Sequence, residues 1–231
     1  MSSQVPMEPI SPARLQALSD GIIAIAATLL ILEVKPPAAD EAVWSGLWHE
    51  WPSLAAYGVT FLIIGIAWIH HHNLFHQVRR VDRSLLFLNI GMLATVSFLP
   101  LPTATLGNHL RGDDAGPAAV FYALSMLAAS VWFTLFWHHL CRHPELLRPE
   151  ARDQARSARR HSLLGPVGYT VAAAIAAVSP VGSLTVSAAL VLYFITGRRA
   201  PTARTHLAQG PAGRSADSAG AGDSADAGRF D

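Results

Sequence analysis

Of the 231 residues, 51% are hydrophobic and only 14% are Asp, Glu, Lys or Arg, with a mean hydropathy of +0.31. Soluble domains usually carry about 25% charged residues, so the balance excludes an ordinary soluble protein and predicts an all-α polytopic membrane protein. The net charge of +1 says little as a sum, and the single cysteine, Cys141, excludes an intramolecular disulfide.

The opening stretch "MSSQVPMEPISPAR" lacks the basic-then-apolar order of a cleavable signal peptide. The first apolar helix is therefore expected to stay in the mature protein. A membrane-spanning helix needs about 20 mostly apolar residues, and six stretches meet or approach that length. They are residues 15–34, stopped by Lys35-Pro36-Pro37, then 53–71, 84–106 with Pro100 and Pro102 near its end, 118–140, 162–178 and 182–196. The last two are short and joined by "SPVG", a turn centred on Pro180. Residues 1–13 read as an N-terminal segment, 14–199 as the membrane domain, and 200–231, rich in Ala, Gly, Ser and Asp, as a disordered tail.

Loop charge predicts orientation. Arg79, Arg80 and Arg83 follow the second stretch, six arginines from Arg142 to Arg160 follow the fourth, and Arg198 and Arg199 follow the sixth. The alternate loops hold Asp40, Glu41, Glu50, Asp113 and Asp114 against Lys35 and Arg111. All basic loops fall on one side, which is assigned as cytoplasmic together with both termini, in the cell's inner (plasma) membrane.

The first helix carries the most informative polar group, Asp20, directly before an uncharged run from Gly21 to Leu32. A carboxylate near a bilayer centre costs at least about 2.5 kcal/mol, so it is retained with a partner or a water-filled path. At about 100° per residue, Ile25, Leu29 and Leu32 form one apolar stripe flanked by Thr28 and Gly21, and Asp20 points about 140° from Ile25. Such a stripe ordinarily meets lipid or another helix. Yet Arg14, Ser19, Asp20, Trp68, His70, His71, His72 and Asn89 all fall at similar depth in the cytoplasmic half. Intramembrane polar groups usually face the bundle interior and pair. One buried hydrogen-bonded layer joining the first three helices is expected, with structural glue as its plain alternative.

His70, His71, His72 and His76, with His138, His139 and His143, invite a metal reading, and His72 and His76 have an i,i+4 spacing. No Cys or Glu-x-x-His pattern supports it, and an adjacent triplet splays around its helix, so no metal site is expected. "GYTV" at 168–171 only scrambles a carbonyl-filter sequence and reads as ordinary helix, while "AAAIAA" at 172–177 suits close helix packing. No phosphate-binding glycine loop, nucleophile elbow or dinucleotide fingerprint is found, so nothing nominates an enzyme or a nucleic-acid partner.

"RLQALSDGIIAIAATLLILEVKPP", "WIHHHNLF" and "LLFLNIGMLATVSFLPLPTATLG" together resemble the signature segments of the transmembrane protein 175 family of potassium channels, with Leu18 where the family has phenylalanine. The resemblance covers the first half of the chain in motif detail. It implies six transmembrane helices per subunit and a homotetramer with four first helices lining a central pore. It also implies an apolar constriction in place of a carbonyl filter. Carried over, the constriction is Ile25, Leu29 and Leu32, with Thr28 beside the ion path. Arg14, Ser19, Asp20, Trp68, His70, His71, His72 and Asn89 hold the pore helix from behind. The function expected is a potassium-permeable cation channel without cofactor, K+ being the permeant ion. The alternatives are a secondary cation or metal transporter using the histidine-rich inner layer, and a structural membrane protein.

Overall fold

In the computed structural model, which describes residues 11–196, the chain becomes helical at Pro12. Ser11 has an extended backbone, and its Oγ accepts from the Arg14 N–H at 3.4 Å. Pro12 suits the first helical position because its missing N–H would have no partner there. Helix α1 (Pro12–Leu29) tightens into a 3-10 turn at Leu30–Glu33 and stops at the extended Val34. The prolines that follow Lys35 exclude any continuation.

Helix α2 (Val43–His49) lies in the next loop, and α3 (Trp51–Gln77) follows with Pro52 in its first turn. Asp82 caps α4 (Arg83–Phe98), its carboxylate accepting from the Leu85 N–H at 2.8 Å. Helix α5 (Pro100–His109) continues nearly in line. The break between them has a local cause: Pro100 and Pro102 have no N–H to donate, and Leu99 N–H bonds Val96 O in a tighter turn. Helix α6 (Ala115–Arg142) is 28 residues long, about 42 Å. Two 3-10 turns, Pro144–Leu146 and Pro149–Ala151, lead to α7 (Arg152–Ser162), α8 (Leu164–Ala176) and α9 (Pro180–Thr196).

The described residues are thus helical throughout apart from turns and loops, with one isolated antiparallel bridge between Val78 and Leu147. Four helical segments, Pro12–Glu33, Trp51–Gln77, Arg83–His109 and Ala115–Arg142, are long and apolar enough to cross a membrane. Helices α8 and α9 are apolar but shorter, at 13 and 17 residues. Four elements differ from the sequence expectation, the first being α2, a helix inside the loop between the first two stretches. The second stretch runs six residues further than expected, to Gln77, so His76 as well as the triplet is helical. The third is divided at Leu99, and the basic loop after the fourth contains helix α7. The "GYTV" segment lies inside α8, as ordinary helix. The tail expected at 200–231, with Arg198 and Arg199, lies outside the described residues.

Helix α6 is central, packing on α4, α5, α7, α8 and α9, while α1 rests on α3 and α4 at the edge of the bundle. Tyr122, Phe136 and Leu140 of α6, with Leu74 and Phe75 of α3 and Leu85 and Met92 of α4, are fully buried. Gly91 admits the Trp132 ring so closely that a Cβ there would overlap it, and Trp132 Nε1 donates to Thr95 Oγ1 at 2.8 Å. At one end of the bundle, Arg79 N–H donates to Leu146 O at 2.7 Å and Arg148 N–H to Gln77 O at 2.9 Å. These bonds strap the α3–α4 loop to the chain leaving α6.

Candidate functional site

Helix α1 has two apolar faces, and packing distinguishes them. Leu15, Ser19, Ile23, Ala26 and Leu30 are buried against the rest of the fold. Ile25, Leu29 and Leu32 are 60%, 44% and 75% exposed. Ile23 and Ile25 lie about 160° apart around the axis, so the Ile25 stripe points away from the subunit's own core. The 3-10 turn keeps Leu32 on that stripe, because residues three apart eclipse in a 3-10 helix. Leu18, 54% exposed, falls within about 20° of Ile25 and extends the stripe by one heptad. Thr28 is exposed beside it, and its hydroxyl donates to Ile25 O at 2.9 Å. Leu29, Leu32 and Glu33 also border an open cleft with Ser97, Phe98 and Leu101.

Behind α1, Ser19, Asn89 and His71 form a fully buried chain across three helices. Asn89 Nδ2 donates to Ser19 Oγ at 3.0 Å, and Ser19 Oγ donates to Leu15 O at 2.9 Å. Asn89 Oδ1 lies 2.8 Å from His71 Nε2. A carbonyl oxygen only accepts, so His71 carries its proton on Nε2. Its Nδ1 is buried with no hydrogen-bond partner among the described residues. The His71 ring packs on Phe75 at 4.4 Å between centroids.

The remaining polar residues separate from that chain. Trp68 Nε1 donates to Asp20 Oδ1 at 2.8 Å, but Trp68 is 42% exposed and Asp20 only partly covered. Arg14 is exposed and its side chain makes no hydrogen bond or ion pair among the described residues. Arg14 and Asp20 lie about 140° and 100° around the helix from Ser19, which is why neither reaches Asn89. The single layer expected from the sequence is therefore a buried triad plus a more open Asp20–Trp68 pair.

The histidines disperse for the same angular reason. His70 packs edge-on against Phe133 and Phe194. His72 Nδ1 lies 2.7 Å from Gln16 Nε2, and its ring is 5.7 Å from that of His76. His139 Nε2 pairs with Asp82 Oδ2 at 2.9 Å, and His143 Nδ1 with Glu145 Oε1 at 3.1 Å. Among the described residues, no group of three or more His, Cys, Asp or Glu side chains could hold a metal ion.

Two polar contacts escape sequence reasoning. Gln16 is one. The other is a buried hydroxyl cluster, in which Thr60 Oγ1 lies 3.0 Å from both Tyr122 OH and Thr103 Oγ1. Thr103 Oγ1 also donates to Leu99 O at 2.7 Å. Isolated threonines in apolar helices usually bond their own backbone, so spacing alone does not single these out. Only the packing of α3, α5 and α6 brings the three hydroxyls together.

An apolar helical bundle with membrane-length helices and a polar-anchored edge helix defines a multi-pass membrane protein. The family model described as the endosomal/lysosomal potassium channel TMEM175 matches residues 14–100, which contain all but the first two residues of α1, the buried triad and the Asp20–Trp68 pair. A potassium channel of Streptomyces collinus is 45% identical over 187 residues, covering 78% of this chain and 90% of that protein. The endosomal/lysosomal proton channel TMEM175 of Bos taurus is 34% identical over 162 residues, but the match covers only 34% of its length. The crystal structure of a lysosomal potassium-selective channel TMEM175 homolog from Chamaesiphon minutus superposes with a TM-score of 0.75 at 33% identity, covering 82% of this chain and 98% of that one. The chain belongs to the TMEM175 family of ion channels.

Proposed function

We propose that the protein is a potassium-permeable cation channel of the plasma membrane, built as a homotetramer of six-helix subunits (14–199) with both termini cytoplasmic. In this reading α1 of each subunit lines a central pore. Ile25, Leu29 and Leu32 form its apolar constriction, with Thr28 beside the ion path and Leu18 continuing the same face. The observation that carries it is the two-sidedness of α1: one face is anchored through Ser19, Asn89 and His71, and the opposite aliphatic face is left uncovered. The match to relatives named potassium channels, over 78% of this chain and 90% and 92% of theirs, supports the choice of ion.

A ring of branched aliphatic side chains offers an ion no replacement for its hydration shell and passes current only when wetted. Potassium is favoured over sodium because its shell is less costly to strip. No cofactor is needed, and the ion itself is the only small molecule involved. The buried triad and the Asp20–Trp68 pair set the rotation of α1, which decides whether the stripe meets the axis. The test is potassium and sodium flux from liposomes holding equal amounts of each variant. Ile25→Asn is expected to raise flux and lower the preference for potassium. Unchanged flux and preference after polar substitution at all three stripe positions would place this face against lipid or protein.

A further inference from the structure

Helix α7 carries Arg152, Arg156, Arg159 and Arg160, which fall within an arc of about 100° at 100° per residue. All four are exposed, while Ala155 on the adjoining side is buried. Their depth is set by α6. Thr134 Oγ1 donates to Ser162 O at 3.0 Å, and Ser130 lies against Gly165. Helix α8 therefore runs antiparallel to α6, from Ser130 back to Gly116, and α7 lies by the C-terminal end of α6. Helix α6, about 42 Å long, exceeds a hydrocarbon core of about 30 Å. The turn beyond Ser162, with Arg159 and Arg160, thus stands where α6 emerges among lipid headgroups, and Arg156 lies one turn further out.

Among the described residues no carboxylate forms an ion pair with Arg156, Arg159 or Arg160, although Asp153 adjoins their face on the same helix and Glu150 lies just before it. Asp82 is taken up by the Leu85 N–H and His139, and Glu145 by His143. Arg152 Nε donates to Pro144 O at 3.0 Å. Arg156, Arg159 and Arg160 make no side-chain hydrogen bond or ion pair among the described residues. Charge asymmetry across the membrane accounts for arginines on this side. It does not account for their collection on one helical face without an ion-pair partner among the described residues. A guanidinium matches a phosphate in charge and in forked geometry, and basic residues clustered at the membrane edge attract anionic lipids.

We propose that Arg156, Arg159 and Arg160 form a surface site for the phosphate groups of anionic phospholipids. The test uses the full chain in mild detergent. Retention of added phosphatidylglycerol and phosphatidylcholine is measured by native mass spectrometry, and the unfolding temperature is recorded alongside. The wild type retains phosphatidylglycerol preferentially and is stabilised by it. Each arginine replaced by glutamine lowers that preference about fivefold at low salt, and Arg111→Gln on another loop leaves it intact. Equal retention of the two lipids by the wild type, or an undiminished preference in the triple Gln variant, overturns the proposal. Stabilisation by millimolar inorganic phosphate equal to that by the lipid also overturns it, in favour of a free anion. Should the triple variant fail to fold, the wild type decides through salt. A lipid preference unchanged when ionic strength rises from about 0.05 to about 0.5 M is incompatible with an electrostatic site.

Discussion

Asn89→Ala removes a side chain of α4 that hydrogen-bonds both α1 and α3. The amide donates to Ser19 Oγ at 3.0 Å and accepts from His71 Nε2 at 2.8 Å, and all three residues are fully buried. After truncation, the His71 N–H has no acceptor, and its Nδ1 already lacks a partner among the described residues. Orphaning a buried donor costs about 1–3 kcal/mol, and the lost Asn89–Ser19 bond adds about 0.5–1.5 kcal/mol. Ser19 keeps its bond to Leu15 O, so no second orphan arises there. The expected loss is about 2–4 kcal/mol, measured by equilibrium unfolding in mixed detergent micelles. His71→Phe provides the check, since phenylalanine keeps the packing on Phe75 and removes the orphaned donor. The double variant should lose less than the sum of the two single losses by about 1–2 kcal/mol. An Asn89→Ala variant within about 0.5 kcal/mol of wild type, or strictly additive losses, would refute the view that this triad anchors α1.

Placing cysteine at Ile25 in a Cys141→Ser background should give disulfide-linked dimers in the membrane. A protein that stays monomeric by light scattering and yields no crosslink would rule out α1 facing a shared axis. Tyr122→Phe should cost only about 1 kcal/mol, because Thr60 and Thr103 remain 3.0 Å apart and can pair; thermal unfolding would show it. Glu145, outside the membrane segments, has its carboxyl held below the ordinary carboxylate range, first by a backbone hydrogen bond and then by His143. A lowered folded-state pKa contributes stability at neutral pH that disappears as pH falls through that lowered value. Glu145→Gln should therefore lower stability slightly at pH 7, and the difference from wild type should vanish as pH falls through that lowered value.

Much of this protein was legible without coordinates because it depends on local chain properties. Apolar length marks α1, α3, α4–α5 and α6 as membrane helices, since a spanning helix must satisfy its own backbone over a fixed thickness. The family signature around Ser19, Asp20, Trp68 and Asn89 is equally a matter of sequence. The facing of α1 is different. Both the Ile23 side and the Ile25 side are aliphatic, and hydropathy does not tell a face that meets α3 and α4 from one left uncovered. The break at Pro100 is visible in sequence, but the meeting of Thr60, Thr103 and Tyr122 beside it is not. The histidine run shows the division most sharply. Three adjacent residues of one type differ only by about 100° of rotation, yet His70 packs on aromatic rings, His71 holds Asn89 and His72 meets Gln16. Composition and spacing assign a polar residue to a helix and a depth. Its partner is decided only when neighbouring helices settle into register, because a hydrogen bond requires distances near 3 Å that no single helix specifies.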